Sequence, residues 1–169
     1  MLNLLDIYVN FFTNFTGKEI EYIIKILFTL RLRGGCMKEL KNILIVEDDP
    51  DNQELLQEII SYSNPDCNYT SVNDGEEALK AAHASNFDLV LMDMSVPKKN
   101  GYEIINELRK TQNYQTVPMV ALTAHAMKGV REKVLASGFD EYLAKPCTPK
   151  DIIGVIKKYL ENKQKTLLS

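Results

Sequence analysis

The chain has no tryptophan, only two histidines (His83 and His125) and only three cysteines in 169 residues. Two histidines are too few for a histidine-rich metal cluster. Cys36, Cys67 and Cys147 are odd in number and show no C-x-x-C spacing. They read as free thiols in a reducing compartment, not as a disulfide framework or a zinc site. An excess of positive charge is also missing: 20 Lys and Arg stand against 23 Asp and Glu, a net charge of −3. Direct nucleic-acid binding is therefore not expected. Nor is there an uninterrupted apolar run of the roughly 20 residues that a membrane span requires. The most apolar part, residues 1–36, is broken by Lys18, Glu19, Glu21 and Lys25. Its first charge is Asp6, so the basic start of a secretory signal is lacking too. The expected location is the cytoplasm, with no membrane span. Finally, no glycine-rich or Ser/Thr-rich loop follows Val46, which argues against a nucleotide or flavin site.

What is present is an ordinary globular composition, 45% hydrophobic and 25% charged, long enough for one domain and an extension. Residues 1–36 carry four basic and three acidic residues; the chain from Met37 carries 16 and 20. Within that first part, residues 19–30 could form an amphipathic helix, with Ile20, Ile23, Ile24 and Leu27 on one face. Arg33-Gly34-Gly35 stands just before Met37 and is what a purine-rich ribosome-binding sequence spells when translated in frame. Residues 1–36 are accordingly read as an extension, either a mis-called start or added sequence. Residues 37–162 are expected to form the folded domain and 163–169 a tail. No further output domain is expected after the last helix.

From Met37 the pattern is regular. Ile43–Val46, Leu89–Met92 and Val117–Leu122 are short apolar runs between turn signals, the pattern of strands buried on both faces. Cys67–Val72 is a weaker, partly alternating strand and Glu141–Ala144 a short fifth one. Helices are expected between them. Pro50 opens the first, carrying Leu55, Leu56, Ile59 and Ile60. Asn73-Asp74-Gly75 leads into the second, with Ala78, Leu79 and Ala82, and Asn100-Gly101 into the third, with Ile104, Ile105 and Leu108. A fourth runs from about Met127 to Ser137 and stops at Gly138. Thr148 or Pro149 opens the fifth, which carries Ile152, Ile153, Ile156, Tyr159 and Leu160. Five alternations of strand and helix predict an α/β fold, a doubly wound parallel sheet with right-handed crossovers.

In such sheets chemistry gathers past the carboxyl ends of the strands. Four of the five strands end there in polar residues: Glu47-Asp48, Asp93, Thr123 and Lys145. Three convergent carboxylates repel, so either one takes up a proton or a cation fills the gap. Oxygen donors suit Mg²⁺, or Mn²⁺. A bound ion would neutralise an incoming phosphoryl group and leave a carboxylate oxygen free to attack. Lys145 would pair with Asp93 at rest and with the phosphoryl oxygens afterwards, and the Thr123 hydroxyl could donate to the same oxygens. Asp49 and Asp51 read as helix-start residues. His125 reads as a pocket-rim residue, His83 as surface, and Lys98-Lys99 as a solvated loop that could draw in an anionic donor.

Ile-Val-Glu47-Asp48-Asp-Pro, Leu-Met-Asp93-Met-Ser-Val-Pro97-Lys-Lys-Asn-Gly101, Ala-Leu-Thr123-Ala and Tyr142-Leu-Ala-Lys145-Pro146 together resemble the receiver domain of two-component response regulators. The resemblance spans about residues 40–161. It implies a flavodoxin-like fold with five strands in the order 2-1-3-4-5 and five flanking helices. It implies that Asp93 accepts a phosphoryl group from a histidine kinase or a histidine phosphotransfer protein. Glu47, Asp48, Asp93 and the backbone carbonyl of Ser95 would then hold Mg²⁺, directly or through water. Thr123 and Tyr142 match the family's switch pair, and Lys145-Pro146 matches a bond that is cis in the family. The phosphodonor is expected near Asn52, Gln53, Leu55 and Leu56. A downstream protein, of identity unknown, is expected on the face of the fourth helix, fifth strand and fifth helix. Within the family, the stretch from Ala121 to Gly129 is most similar to stand-alone cell-cycle regulators and to receivers of hybrid kinases.

The resulting expectation is a non-enzymatic phospho-acceptor switch. One alternative is an interaction module that works without phosphorylation, although such domains usually lose an acidic or Lys position and none is lost here. Another is a Mg²⁺-dependent phosphatase with an Asp nucleophile. Those enzymes place a second Asp two residues on, where this chain has Ser95.

Overall fold

The structure, a computed structural model, describes residues 40–63, 67–124 and 129–161. Five strands alternate with five helices: β1 Lys41–Val46, α1 Pro50–Ser63, β2 Cys67–Val72, α2 Gly75–Ala84, β3 Leu89–Asp93, α3 Gly101–Leu108, β4 Met119–Thr123, α4 Val130–Ala136, β5 Glu141–Ala144 and α5 Pro149–Ile156. A 3-10 turn, Gln112–Tyr114, precedes β4, and a π-turn, Lys157–Glu161, ends α5. The sheet is parallel, as the alternation of strands and helices predicts, and its order is β2-β1-β3-β4-β5, as the resemblance implies.

The apolar strand runs follow from this layering. In β1, Leu44 and Val46 face the core under α2, α3 and α4, whereas Ile43 and Ile45 face the core under α1 and α5. β3 divides in the same way, Val90 and Met92 against Leu89 and Leu91, and β4 divides Met119 and Ala121 against Val120 and Leu122. A strand segment with cores on both faces has no wet side, so Ile43–Val46, Leu89–Met92 and Met119–Leu122 are apolar throughout. Each such side chain contributes about 1.5–3 kcal/mol on burial. β2 lies at the sheet edge, and its middle residues Asn68, Tyr69 and Thr70 are exposed, which accounts for its weaker pattern.

Local chemistry sets the element ends. Asp74 caps α2 by accepting from the N–H groups of Glu76 and Glu77, both at 2.9 Å. Asn100 with Glu103, and Thr148 with Asp151, form capping boxes on α3 and α5. α4 ends at Ala136, and Gly138 takes the left-handed conformation two residues on, at φ 108°. Some boundaries differ from the sequence reading. β1 begins at Lys41 because Asp88 accepts from both Lys41 Nζ and the Asn42 N–H, tying those residues to the sheet. β4 begins at Met119, since Pro118 has no N–H and contributes only its carbonyl, to Val90. The α-helical part of α5 stops at Ile156, so Tyr159 and Leu160 belong to the π-turn.

The expected extension 1–36, Asn64-Pro65-Asp66, residues 125–128 with His125 and Met127, and the tail 163–169 lie outside the described residues. No helix among the described residues is long and apolar enough to cross a membrane.

Candidate functional site

The strand order reverses between β1 and β3, so the crevice at their carboxyl ends is the sheet's switch point. Glu47 and Asp48 follow β1 and Asp93 closes β3. Backbone bonds extend the ladder just past the strands: Glu47 N–H donates to Val72 O at 3.1 Å, Met94 N–H to Leu122 O at 3.0 Å and Lys145 N–H to Thr123 O at 2.8 Å. These bonds hold the polar residues on one rim.

Glu47, Asp48 and Asp93 each offer a carboxylate oxygen, and the three oxygens lie within 4.8 Å of one another. Lys145 Nζ bridges two of them, at 2.5 Å from Glu47 Oε2 and 2.5 Å from Asp93 Oδ2. Glu47, Asp93 and Thr123 are buried, and Asp48 is exposed. Burial pushes the Glu47 carboxyl up from its ordinary value, against the lowering effect of Lys145. Burial also pulls the Lys145 ammonium down, but its hydrogen bonds to Asp93 and Glu47 outweigh that and leave it raised. Three carboxylates facing one ammonium leave an excess of negative charge, and every donor is an oxygen. That donor set fits a hard divalent cation such as Mg²⁺ or Mn²⁺.

The loop after Asp93 is shaped by close packing. Ser95 N–H donates to Asp93 Oδ1 at 2.7 Å and so orients the carboxylate. Gly101 N–H returns to Met94 O at 3.2 Å, and a Cβ at Gly101 would stand 2.5 Å from Met94 Sδ and 3.1 Å from Met94 Cα, so a larger residue there requires the Met94 side chain to move. On the outside, Gly75 N–H donates to Pro97 O at 3.2 Å, and a Cβ at Gly75 would be 2.4 Å from Lys99 O. Lys98 takes a left-handed backbone, φ 63°, and its Nζ sits 2.5 Å from Asp74 Oδ2. Lys99 Nζ lies 2.6 Å from Glu107 Oε1. Both lysines are ion-paired, which offsets part of the charge they could present to an anionic donor.

Thr123 ends β4, and Tyr142 lies in β5 opposite Ala121, half-buried against the core beneath α3 and α4. Lys145-Pro146 is cis. Asp49 stays out of the acidic cluster. Its Oδ1 accepts from the N–H groups of Asp51 and Asn52, at 2.9 and 3.0 Å, and so starts α1. Cys67 and Cys147 are free thiols. A groove of about 350 Å³ opens beside the rim, lined among others by Glu47, Asn52, Leu55, Lys145, Pro146 and Ile152. Leu55 is exposed there; Leu56, expected on the same surface, also lines the groove, with most of its side chain buried in the core under α1 and α5.

Asn52 and Gln53, expected only on the phosphodonor surface, also bond to Glu47 through their side-chain amides. Asn52 Nδ2 donates to Glu47 Oε1 at 3.2 Å. Gln53 Nε2 donates to Glu47 O at 2.5 Å and to Asn73 Oδ1 at 2.8 Å, joining the ends of β1 and β2. Their signal was their place in the first turn of the helix that follows the acidic pair.

Comparison with known proteins gives one consistent answer. The profile of the response regulator receiver domain matches residues 43–157. The polar-differentiation response regulator DivK of Brucella abortus is 35% identical over 120 residues, covering 71% of this chain and 96% of its own length. Hybrid signal transduction histidine kinase I of Dictyostelium discoideum is 36% identical over an alignment of 132 residues that covers 72% of this chain and 8% of that protein. Among solved structures, the receiver domain of sensor histidine kinase PA1611 of Pseudomonas aeruginosa, with a magnesium ion in its active-site cleft, is 34% identical. It aligns with a TM-score of 0.66 over 72% of this chain and 98% of its own.

Proposed function

Because this chain belongs to the response regulator receiver family, we propose that it is a phospho-accepting switch in two-component signalling, with Asp93 as the acceptor. The observation that carries the reading is the rim itself. One ammonium, Lys145, lies 2.5 Å from both Asp93 and Glu47, within a triad of carboxylates whose oxygens lie within 4.8 Å of one another. The donor is a phosphohistidine on a histidine kinase or a histidine phosphotransfer protein. An Asp93 carboxylate oxygen attacks phosphorus, and a P–O bond forms as the P–N bond to the imidazole breaks. The imidazole leaves with the electron pair and takes up a proton.

Glu47, Asp48 and Asp93, with the Ser95 backbone carbonyl, would hold the Mg²⁺ that offsets phosphoryl charge when bound. The Ser95 N–H fixes one Asp93 oxygen. Lys145, already on the other, follows the charge to the phosphoryl oxygens. The Thr123 hydroxyl donates to those oxygens as well, and Tyr142 moves inward behind it, coupling the site to the α4–β5–α5 face where a downstream protein binds. The phosphodonor docks on the groove beside α1, where Leu55 is exposed. The protein is a switch, not a turnover phosphatase: Ser95 occupies the position where an acid/base Asp would stand.

The test is incubation with acetyl phosphate and Mg²⁺. Wild type gains one phosphoryl mass and Asp93→Asn does not. Equal labelling of both would remove Asp93 from its role.

A further inference from the structure

We infer that Asn52 is a positioning residue for the cation site, acting through Glu47; the inference rests on the cation-binding reading proposed above. Glu47 is 1% exposed, and its two carboxylate oxygens have different partners. Oε2 faces the Lys145 ammonium at 2.5 Å, and Oε1 accepts from Asn52 Nδ2 at 3.2 Å. Glu47 therefore stands between a charged donor shared with Asp93 and a neutral donor on α1.

The neutrality of that second donor matters. A buried carboxylate oxygen without a donor is unfavourable and draws the side chain toward whatever positive charge is nearby. Without the amide, the only charged partner in contact among the described residues is Lys145, so Glu47 would turn further onto the lysine and away from the triad. A lysine or arginine in place of Asn52 would satisfy the oxygen but set a second positive charge against the cation. An amide supplies the hydrogen bond without the charge. Asn52 is itself well anchored. Its backbone N–H is held by the Asp49 cap at 3.0 Å, and its neighbour Gln53 holds the Glu47 main-chain carbonyl at 2.5 Å. Two consecutive amides thus fix the same residue at its side chain and at its backbone. Removing a hydrogen-bond partner that orients a metal-facing ligand weakens metal affinity by about tenfold or more.

The experiment is a Mg²⁺ titration followed by backbone amide NMR shifts on wild type, Asn52→Leu, Glu47→Ala and the double variant, with thermal midpoints in EDTA. Asn52→Leu keeps the size and removes the donor. Its Mg²⁺ dissociation constant should rise about tenfold, while in the Glu47→Ala background the same change should have less than about a twofold effect. A purely structural role would lower the EDTA midpoint and would persist without Glu47. Wild-type affinity in Asn52→Leu overturns the inference, as does an undiminished effect in the Glu47→Ala background or a wild type that binds no Mg²⁺. Acetyl phosphate labelling is read in parallel. If wild type binds Mg²⁺ but takes no phosphoryl group, the acceptor reading falls while the titration still decides the role of Asn52.

Discussion

Two charged clusters in this molecule are built on opposite plans. Around Arg109, at the end of α3, every feature is closed. The guanidinium donates to the carbonyls of Gly138, Tyr114, Gln115 and Val117 and to Asp140 Oδ2, at 2.7–3.3 Å. Asp140 Oδ2 also accepts from Met119 N–H at 2.8 Å. One side chain thus ties the end of α3, the 3-10 turn, the start of β4 and the loop before β5. At the other cluster, the carboxylates of Glu47, Asp48 and Asp93 converge, and the Lys145 ammonium pairs with Glu47 and Asp93. There negative charge exceeds positive, and the carboxylates retain oxygens that other groups can use. The difference teaches how to tell a structural cluster from a chemical one: the first satisfies its own valences, and the second leaves charge for a visitor to balance.

The largest test of this contrast is Arg109→Ala. It leaves several carbonyls and Asp140 without their donor and should lower unfolding free energy by about 3 kcal/mol. The expected Mg²⁺ affinity of the folded protein is unchanged. Chemical denaturation with a parallel Mg²⁺ titration measures both. A large loss of affinity would show that the two clusters are not separable.

Glu47→Gln should act with the opposite sign. The folded-state carboxyl is raised above its ordinary value of 4.5, so the folded protein holds its proton longer than the unfolded chain. The stability tied to that proton is complete below the ordinary value and is lost as pH rises through the raised one. In EDTA, wild type and Glu47→Gln should therefore be nearly equal at pH values below that range. At neutral pH the variant should be the more stable of the two, because burial disfavours the ionised Glu47 carboxyl. Thermal denaturation across pH checks it; a variant less stable at neutral pH would mean that the Lys145 pairing outweighs burial.

The smallest effect concerns the clasp that ties the loop after β3 to the start of α2. The Lys98 ammonium beside Asp74 holds that carboxyl below the usual carboxylate range, with the Glu77 N–H adding to it. Lys98→Met should shift the Asp74 carboxyl titration upward, as read by NMR. No shift would mean that the ion pair is not formed in solution.

The same contrast explains what could be read from the sequence. Ile43–Val46 and Leu89–Met92 announced themselves because a strand buried on both faces leaves no place for a polar residue. The polar residues of the rim stood out because each interrupts or follows such a run. Asp49 was readable as a cap because its partners are two and three residues away. Arg109 was not readable: it sits among ordinary helix-end residues, and its partners Gly138 and Asp140 are 29 and 31 positions distant. The pairing of Lys98 and Lys99 was hidden for the same reason, since Asp74 and Glu107 belong to other elements. Asn52 was in view as a surface residue, but nothing local indicates that its amide turns back to Glu47.

The central claim is that the open cluster takes a phosphoryl group on one particular oxygen acid. Fragmentation mass spectrometry of the chain after acetyl phosphate, with Mg²⁺ and with EDTA, tests it most directly. The account predicts the phosphoryl group on Asp93 with Mg²⁺ and little or none with EDTA. A phosphoryl group on Glu47 or Asp48, or one acquired equally fast in EDTA, would contradict it.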